Sequence, residues 1–304
     1  MPELPEVETV KNQLEKCILN KTIIKANVYS PKLRYPITTP QSGQIISRIF
    51  RRSKYIICEI MSKDKPKFKS YWILHLGMTG FFQYIKYASE YAKLDKLKHT
   101  HADIYFEDGI LRYVDARRFG AMVYTEDLNH NALKKLGAEP LEMTANGLAK
   151  YLFECSKKRK QAIKLFITNN EIIVGIGNIY ACEVLFESKI NPETLCSNIS
   201  LEQYIIMAKN IQDILNNAIK SGGSTIDNFT HLHIYGDELD NKNIIDSKDK
   251  DNGYFQVQHK VYGKQNQKCT VCNDIISKIT QGQRSTYYCP ACQIKALTGA
   301  NDFR

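Results

Sequence analysis

The chain has 304 residues, 43% of them hydrophobic and 10% aromatic, enough for two domains with real cores and a small appendage. No stretch is apolar for long enough to span a bilayer, and the acidic start lacks the basic-then-apolar order of a signal peptide, so the expectation is a soluble, intracellular protein. A net charge of +10 fits a polyanionic partner, most often nucleic acid, and equally a lysine-rich solvated surface.

The chain opens Met1-Pro2-Glu3-Leu4-Pro5-Glu6. Proline after the initiator is small enough for Met1 to be trimmed, which leaves Pro2 with a free secondary amine. An α-amino group titrates near ~8 against ~10.4 for lysine, so a usable fraction is unprotonated at neutral pH. Such an amine forms a Schiff base with carbonyl-type carbon, and Glu3 beside it can move protons. The same residues also read as ordinary helix punctuation. Pro5 stands at the first helical position, and Val7, Val10, Leu14, Cys17 and Ile18 follow on one face.

Residues 22–125 read mainly as strands, for example Thr22–Tyr29, Lys54–Ile60, Tyr71–Leu76, Ala102–Phe106 and Ile110–Val114, with Asp108-Gly109 as a hairpin turn. The expected fold is α+β: a helix-capped β-sandwich over residues 1–136, then a linker at Gly137-Ala138-Glu139-Pro140. Two glycine-flanked turns stand out, His75-Leu76-Gly77-Met78-Thr79-Gly80 and Asp115-Ala116-Arg117-Arg118-Phe119-Gly120. Each alone is more often a structural hairpin. Together they offer cations for phosphates and apolar side chains to fill the hole left by an extruded base.

From about 145 the period turns helical, with candidates at Leu148–Cys155, Ala162–Thr168, Tyr180–Ser188 and Leu201–Lys220. The last carries Leu201, Tyr204, Ile205, Ala208, Ile211, Ile214 and Leu215 on one stripe and stops at Gly222-Gly223. The basic run Lys157–Lys160 reads as a solvated surface or a phosphate track, and Gly175-Ile176-Gly177-Asn178 as a turn whose backbone could approach a phosphate. Residues 230–252 are acid-rich and read as a long mobile loop within a helical domain of 145–258.

Nine cysteines are present, and Cys17, Cys58, Cys155, Cys182 and Cys196 sit mostly in apolar settings, which is no disulfide framework. Cys269-x2-Cys272, sixteen residues, then Cys289-x2-Cys292 is the spacing of two knuckles around one tetrahedral zinc. Four thiolates close the coordination sphere, so this Zn2+ is structural, within a zinc finger of 259–294 followed by a tail of 295–304. Arg284 lies between the knuckles, where a rigid hairpin could aim it at a phosphate or leave it as a solvated turn residue.

These segments, taken with Arg51–Tyr55, Ala162–Lys164, Val174–Phe186, Gly222–Phe229, Gly253–Phe255 and Val261–Gly263, resemble the formamidopyrimidine-DNA glycosylases of the Fpg/Nei superfamily, nearer the Fpg (MutM) branch. The resemblance runs nearly end to end and in order. It implies a helix–two-turn–helix domain between the sandwich and a zinc-finger β-hairpin. It also implies a monomeric base-excision-repair enzyme, hydrolase and lyase, acting on damaged double-stranded DNA with no nucleotide cofactor and no membrane. Such an enzyme removes 8-oxoguanine and formamidopyrimidines, then cuts the strand by β,δ-elimination. By the resemblance Pro2 attacks C1′, Glu3 protonates the opened sugar, Lys54 serves β-elimination and Arg284 serves δ-elimination. Met78, Arg117 and Phe119 match gap-filling residues. His99, Lys160 and Asn178 match phosphate or DNA contacts, and Lys164 lies near the lesion pocket. The stretch from Phe229 to Gly253 is longer and more acidic than is usual in the family. Two other readings remain: a catalytically silent zinc-finger protein that binds damaged DNA, disfavoured by the presence of Pro2, Glu3 and Lys54, and a zinc-ribbon adaptor.

Overall fold

The computed structural model describes residues 2–62, 65–87, 96–223, 232–235 and 259–295. The chain divides into two compact units, Met1–Lys134 with Ile219–Gln256, and Lys135–Ala218 with Val257–Arg304.

The first unit begins with α1 (Leu4–Ile18). Its N-terminus is closed by a capping box in which the Glu3 side chain accepts from the backbone of Glu6, and the Glu6 carboxylate accepts from the Glu3 N–H at 2.8 Å. Helix geometry begins at Leu4, so Pro5 stands at the second position, where its missing N–H still costs nothing. The apolar stripe Val7, Val10, Leu14, Cys17, Ile18 is buried throughout.

Two sheets follow. The strands β1 (Lys25–Val28), β5 (Gly80–Lys86), β6 (Thr100–Tyr105), β7 (Gly109–Asp115) and β9 (Leu232–Tyr235) make one in the order β1-β6-β7-β5-β9. The strands β2 (Gln44–Arg52), β3 (Tyr55–Ser62), β4 (Lys65–His75) and β8 (Ala121–Thr125) make the other in sequence order. Alternate residues such as Ile56, Cys58 and Ile60 on β3, Trp72 and Leu74 on β4, Phe82 and Tyr84 on β5, and Leu111 and Tyr113 on β7 enter one shared core with the α1 stripe. That period of two makes the pair a sandwich capped by the helix.

The stretch 230–252 does not read uniformly as a loop. Leu232–Tyr235 is an edge strand running parallel to β5, with Phe82 opposite Leu232 and Ile85 opposite Tyr235, and Leu232 is buried in the sandwich core. A four-residue strand with two β-formers, Ile234 and Tyr235, is outweighed in composition by the acids that follow it, which is why the stretch reads polar. Residues 236–252 lie outside the described residues, as do 224–231, 253–258 and the tail from 296.

The second unit carries α2 (Ala145–Ser156), α3 (Ile163–Ile167), α4 (Asn178–Glu187), α5 (Leu201–Lys220, whose last residues belong to the first unit) and the hairpin β10 (Ser277–Gln281) with β11 (Arg284–Tyr288). Thr144 caps α2 by accepting from the Gly147 N–H. On α5 the buried residues are Tyr204, Met207, Ala208, Ile211, Leu215 and Ala218. Ile205, expected on that stripe, is exposed and Met207 takes its place, because the buried stripe keeps to the i, i+3, i+4 rows through Tyr204 and Ala208. Among the described residues no helix is long and apolar enough to cross a membrane.

Candidate active site and nucleic-acid interface

The candidate residues fall into two groups, one in each unit. In the first, Pro2 is buried ahead of α1, and Glu3, Glu6, Ser53 and Lys54 are all nearly inaccessible, Lys54 at 6% exposure. Lys54 sits in the two-residue turn between β2 and β3, where Arg52 pairs with Tyr55. Ser53 takes φ 57, a left-handed conformation that costs a side-chain-bearing residue ~1 kcal/mol or more. The turn is tied down from one side: Arg51 donates through Nη1 to the Ser53 carbonyl at 2.9 Å and through Nε to Glu8 Oε2 at 2.8 Å. Glu8 lies on the second turn of α1, so one arginine fixes the Lys54 turn to the helix that follows Pro2.

Beside that turn lies His75, its ring 4.7 Å from the ring of Tyr55, with Nδ1 accepting from the Gly77 N–H at 3.0 Å. Burial first, and then the positive charges of Arg34 and Lys54, push this imidazole down to about 4, against the pull of Asp115. His75 therefore stays neutral at physiological pH. In the unfolded chain it takes up a proton near ~6.5, so between about 4 and ~6.5 the unfolded state binds more protons and stability falls as pH falls. Lowering pH from 7 to 5 is expected to remove ~2 kcal/mol through this group. Urea unfolding of wild type and His75→Gln at both pH values checks it, and a difference between the two proteins that does not change with pH would refute it.

Met78 stands on one turn and Arg117 and Phe119 on another, and the two turns meet at Asp115. Asp115, the last residue of β7, is fully buried, and its carboxylate accepts from Thr79 Oγ1 at 2.6 Å, the Gly120 N–H at 2.9 Å and the Arg117 N–H at 3.2 Å. Met78 and Phe119 remain 39% and 48% exposed, and the Arg117 guanidinium lies 4.9 Å from the Phe119 ring centroid. His99, exposed at φ 70, accepts the Asp115 N–H on its carbonyl at 3.1 Å, which brings it to the same turn.

In the second unit, β10 and β11 are joined by Gly282-Gln283, both at positive φ (55 and 61), the tight turn whose twist suits a two-residue hairpin. A Cβ on Gly282 would lie 2.9 Å from Leu165 Cδ2, so the hairpin tip rests on α3. Arg284 follows the turn at once and is exposed. Asn178, the first residue of α4, donates through Nδ2 to the Ser285 carbonyl at 2.7 Å, and its Oδ1 is buried without a hydrogen-bond partner among the described residues. Arg284, Asn178 and the α3 helix that carries the buried Lys164 thus meet at the hairpin tip. Lys160 is exposed three residues before α3.

The four cysteines at 269, 272, 289 and 292 place their Sγ atoms within 4.8 Å of one another, with Cys269–Cys292 at 3.8 Å and Cys272–Cys289 at 3.4 Å. A tetrahedron with ~2.3 Å Zn–S bonds has edges of ~3.8 Å, so the donor set and its spacing fit one structural Zn2+. The module is held from α4. Glu183 accepts from the backbone N–H groups of Lys260, Val261 and Tyr262 at 2.8–3.1 Å. Burial pushes the Glu183 carboxyl above its ordinary value while those three bonds pull it back. Gln293 donates to the Ile190 carbonyl and accepts from the Cys289 N–H, and Asn191 donates to the Gln293 carbonyl.

Neither Asp115 as a junction nor Glu183 as an anchor is among the roles that the sequence motifs point to. Glu183 did leave a signal, a lone carboxylate inside the apolar run Ile179–Phe186, where burial demands partners. Asp115 left none, because its cross-turn partner Thr79 is 36 residues away.

A buried amino-terminal helix on a sandwich, a helical unit and a hairpin bearing four clustered cysteines define the class of DNA-repair glycosylases that carry a helix–two-turn–helix domain. Three family models match in that order: the formamidopyrimidine-DNA glycosylase N-terminal domain at residues 1–122, the formamidopyrimidine-DNA glycosylase H2TH domain at 136–230, and the zinc finger found in FPG and IleRS at 266–294. The formamidopyrimidine-DNA glycosylase of Vesicomyosocius okutanii is 38% identical over 300 residues, covering 96% of this chain and 100% of that protein. Two solved structures of Lactococcus lactis Fpg, a variant bound to Fapy-dG-containing DNA and a complex with DNA containing an abasic site, are each 32% identical with a TM-score of 0.79. They cover 97% and 96% of this chain and the whole of theirs. The chain belongs to the formamidopyrimidine-DNA glycosylase family.

Proposed function

We propose that this protein is a base-excision-repair glycosylase that removes oxidised purines, 8-oxoguanine and formamidopyrimidines, from duplex DNA through a Pro2 imine and then nicks the strand by β,δ-elimination. The observation that carries the reading is the amino terminus. Pro2 stands directly before a capping box whose two carboxylates, Glu3 and Glu6, are 3% exposed, and the lysine turn is tethered to the same helix.

The steps follow from that arrangement. The Pro2 nitrogen attacks C1′ as the damaged base departs, and Glu3 supplies a proton to the opened sugar oxygen. The iminium acidifies the C2′ proton; its removal, in which Lys54 takes part, expels the 3′ phosphate. A second elimination, aided by Arg284, expels the 5′ phosphate, and water releases the amine. Met78, Arg117 and Phe119 occupy the space of the extruded nucleotide, offsetting an unstacking cost of a few kcal/mol. His99, Lys160, Asn178 and Lys164 hold the DNA through phosphate and lesion-side contacts, and the zinc ion folds the hairpin that carries Arg284 without itself entering the chemistry. This reading places the protein in the cytoplasm with the DNA.

Borohydride reduction during turnover tests the imine. A covalent protein–DNA adduct is expected on 8-oxoguanine and abasic duplexes, and its absence on both would refute the reading. Glu3→Gln is expected to slow base excision ~100-fold or more while cleavage of a preformed abasic site falls far less, since general acid catalysis contributes ~10²–10⁴. Equal losses on the two substrates would contradict the role given to Glu3.

A further inference from the structure

The two turns that carry Met78 and Arg117–Phe119 are joined more firmly than neighbouring loops need to be. Their backbones touch: a Cβ on Gly77 would stand 2.5 Å from Phe119 C and Gly120 N, and one on Gly120 would collide with Tyr113 Oη. Polar bonds cross the same contact. Thr79, next to Met78, donates its hydroxyl to Asp115 Oδ1 at 2.6 Å and accepts the Arg117 N–H on that hydroxyl at 3.1 Å. The Arg117 N–H also reaches Asp115 Oδ1 at 3.2 Å. The other carboxylate oxygen takes the Gly120 N–H at 2.9 Å and faces the Tyr113 hydroxyl at 3.4 Å. His101, itself buried, lies 2.7 Å through Nε2 from the Asp115 carbonyl and fixes the backbone from behind.

A carboxylate spanning two turns differs from one that only caps its own. Buried and bonded on both oxygens, it makes displacement of either turn break bonds in the other. The exposed tips Met78, Arg117 and Phe119 then move as one body. Filling the gap behind an extruded base needs such rigidity, because an inserted side chain that yields under stacking pressure lets the base return.

We propose that Asp115 is the positioning residue that locks the Met78 turn and the Arg117–Phe119 turn into a single wedge. The proposal rests on the gap-filling reading of those three side chains. Asp115 touches no reacting atom; it acts by holding the wedge at one height, and Thr79 is the cross-turn half of the lock.

The experiment compares Asp115→Asn, Thr79→Val and Thr79→Ser with wild type on two duplexes. One holds 8-oxoguanine opposite cytosine; the other holds it opposite an abasic analogue, so that the lesion is already unpaired. On the paired lesion Asp115→Asn is expected to slow single-turnover excision 10- to 100-fold and Thr79→Val about 10-fold, while Thr79→Ser keeps the hydroxyl and stays within twofold of wild type. On the unpaired lesion each defect should shrink to threefold or less. Equal losses on both duplexes, wild-type rates for Asp115→Asn and Thr79→Val, or a Thr79→Ser as impaired as Thr79→Val would overturn the proposal. If Asp115→Asn does not fold, the two Thr79 variants decide the matter alone. Met78→Ala and Phe119→Ala, run alongside, separate the two ideas. If they leave paired-lesion excision intact the gap-filling reading fails. If they impair it while the lock variants do not, this proposal alone fails.

Discussion

A protein purified with Met1 still attached is expected to give no borohydride-trapped adduct, and its excision rate should fall on the order of a thousandfold or more. Acylation turns the Pro2 nitrogen into an amide whose lone pair is delocalised into the carbonyl and which carries no N–H. Neither protonation state of such a nitrogen can become an iminium. Pro2→Gly behaves differently. It keeps a terminal amine near ~8 but loses the ring that fixes the approach of the nitrogen, so trapping should weaken rather than vanish. The measurement is trapping yield on an abasic duplex against intact mass of the N-terminus, species by species. An adduct on chains whose mass retains Met1 would move the nucleophile to a side-chain amine, and Lys54, buried in its tethered turn, would be the first to replace.

Much of this arrangement is legible in the residues themselves, for reasons that differ from element to element. The α1 stripe could be read because burial of one helix face imposes its own period, and Val7 through Ile18 obey it. The extent of α5, Leu201–Lys220, could be read because the stripe ends where Gly222-Gly223 makes continuation costly. The zinc cluster could be read because the metal demands four soft donors at a fixed separation, which short knuckles on a hairpin supply. What resisted reading is non-local. The pairing of Leu232–Tyr235 with β5 depends on residues some 150 positions apart, and nothing in Leu-His-Ile-Tyr states which edge it will find. The reach of Asp115 to Thr79 and of Arg51 to Glu8 likewise exists only after the chain has folded. Ile205 shows the limit of periodicity on its own ground. A stripe drawn one row too wide includes a residue that the packing leaves outside. The zinc donor set was carried by residue types and their local order, and the contacts of Asp115 and Arg51 by a fold that local order does not encode.

Removing the zinc is expected to weaken binding to an abasic-site duplex at least tenfold while leaving helices α2–α5 largely folded. The strands β10 and β11 are five residues each, and a lone two-stranded hairpin of that size is marginal in water. The cluster behind it is small: Cys182, Phe186, Val261 and Ile276 with two of the ligands, Cys269 and Cys289. Structural zinc contributes ~10–16 kcal/mol of apparent binding energy to such modules, far more than this cluster supplies. The hydrogen bonds that Asn178, Asn191 and Gln293 donate and those that Glu183 accepts tether the module to α4 and the segment after it. They do not build the hairpin, and without the metal they hold a chain with no fixed tip. Arg284 then loses its aim, and the phosphate contact proposed for it, of a charge-assisted kind worth ~1.5–3 kcal/mol or about 10- to 100-fold in affinity, goes with it. Helix content by circular dichroism should change little, because α2–α5 bury their own apolar faces. The check is a titration of zinc released by a chelator, with one ion per chain expected, against DNA affinity by fluorescence anisotropy. Cys269→Ser serves as the version that cannot be reloaded. Undiminished affinity in a preparation shown to hold no zinc would mean that Glu183 and its neighbours fold the hairpin unaided, and the metal would lose its place in DNA binding.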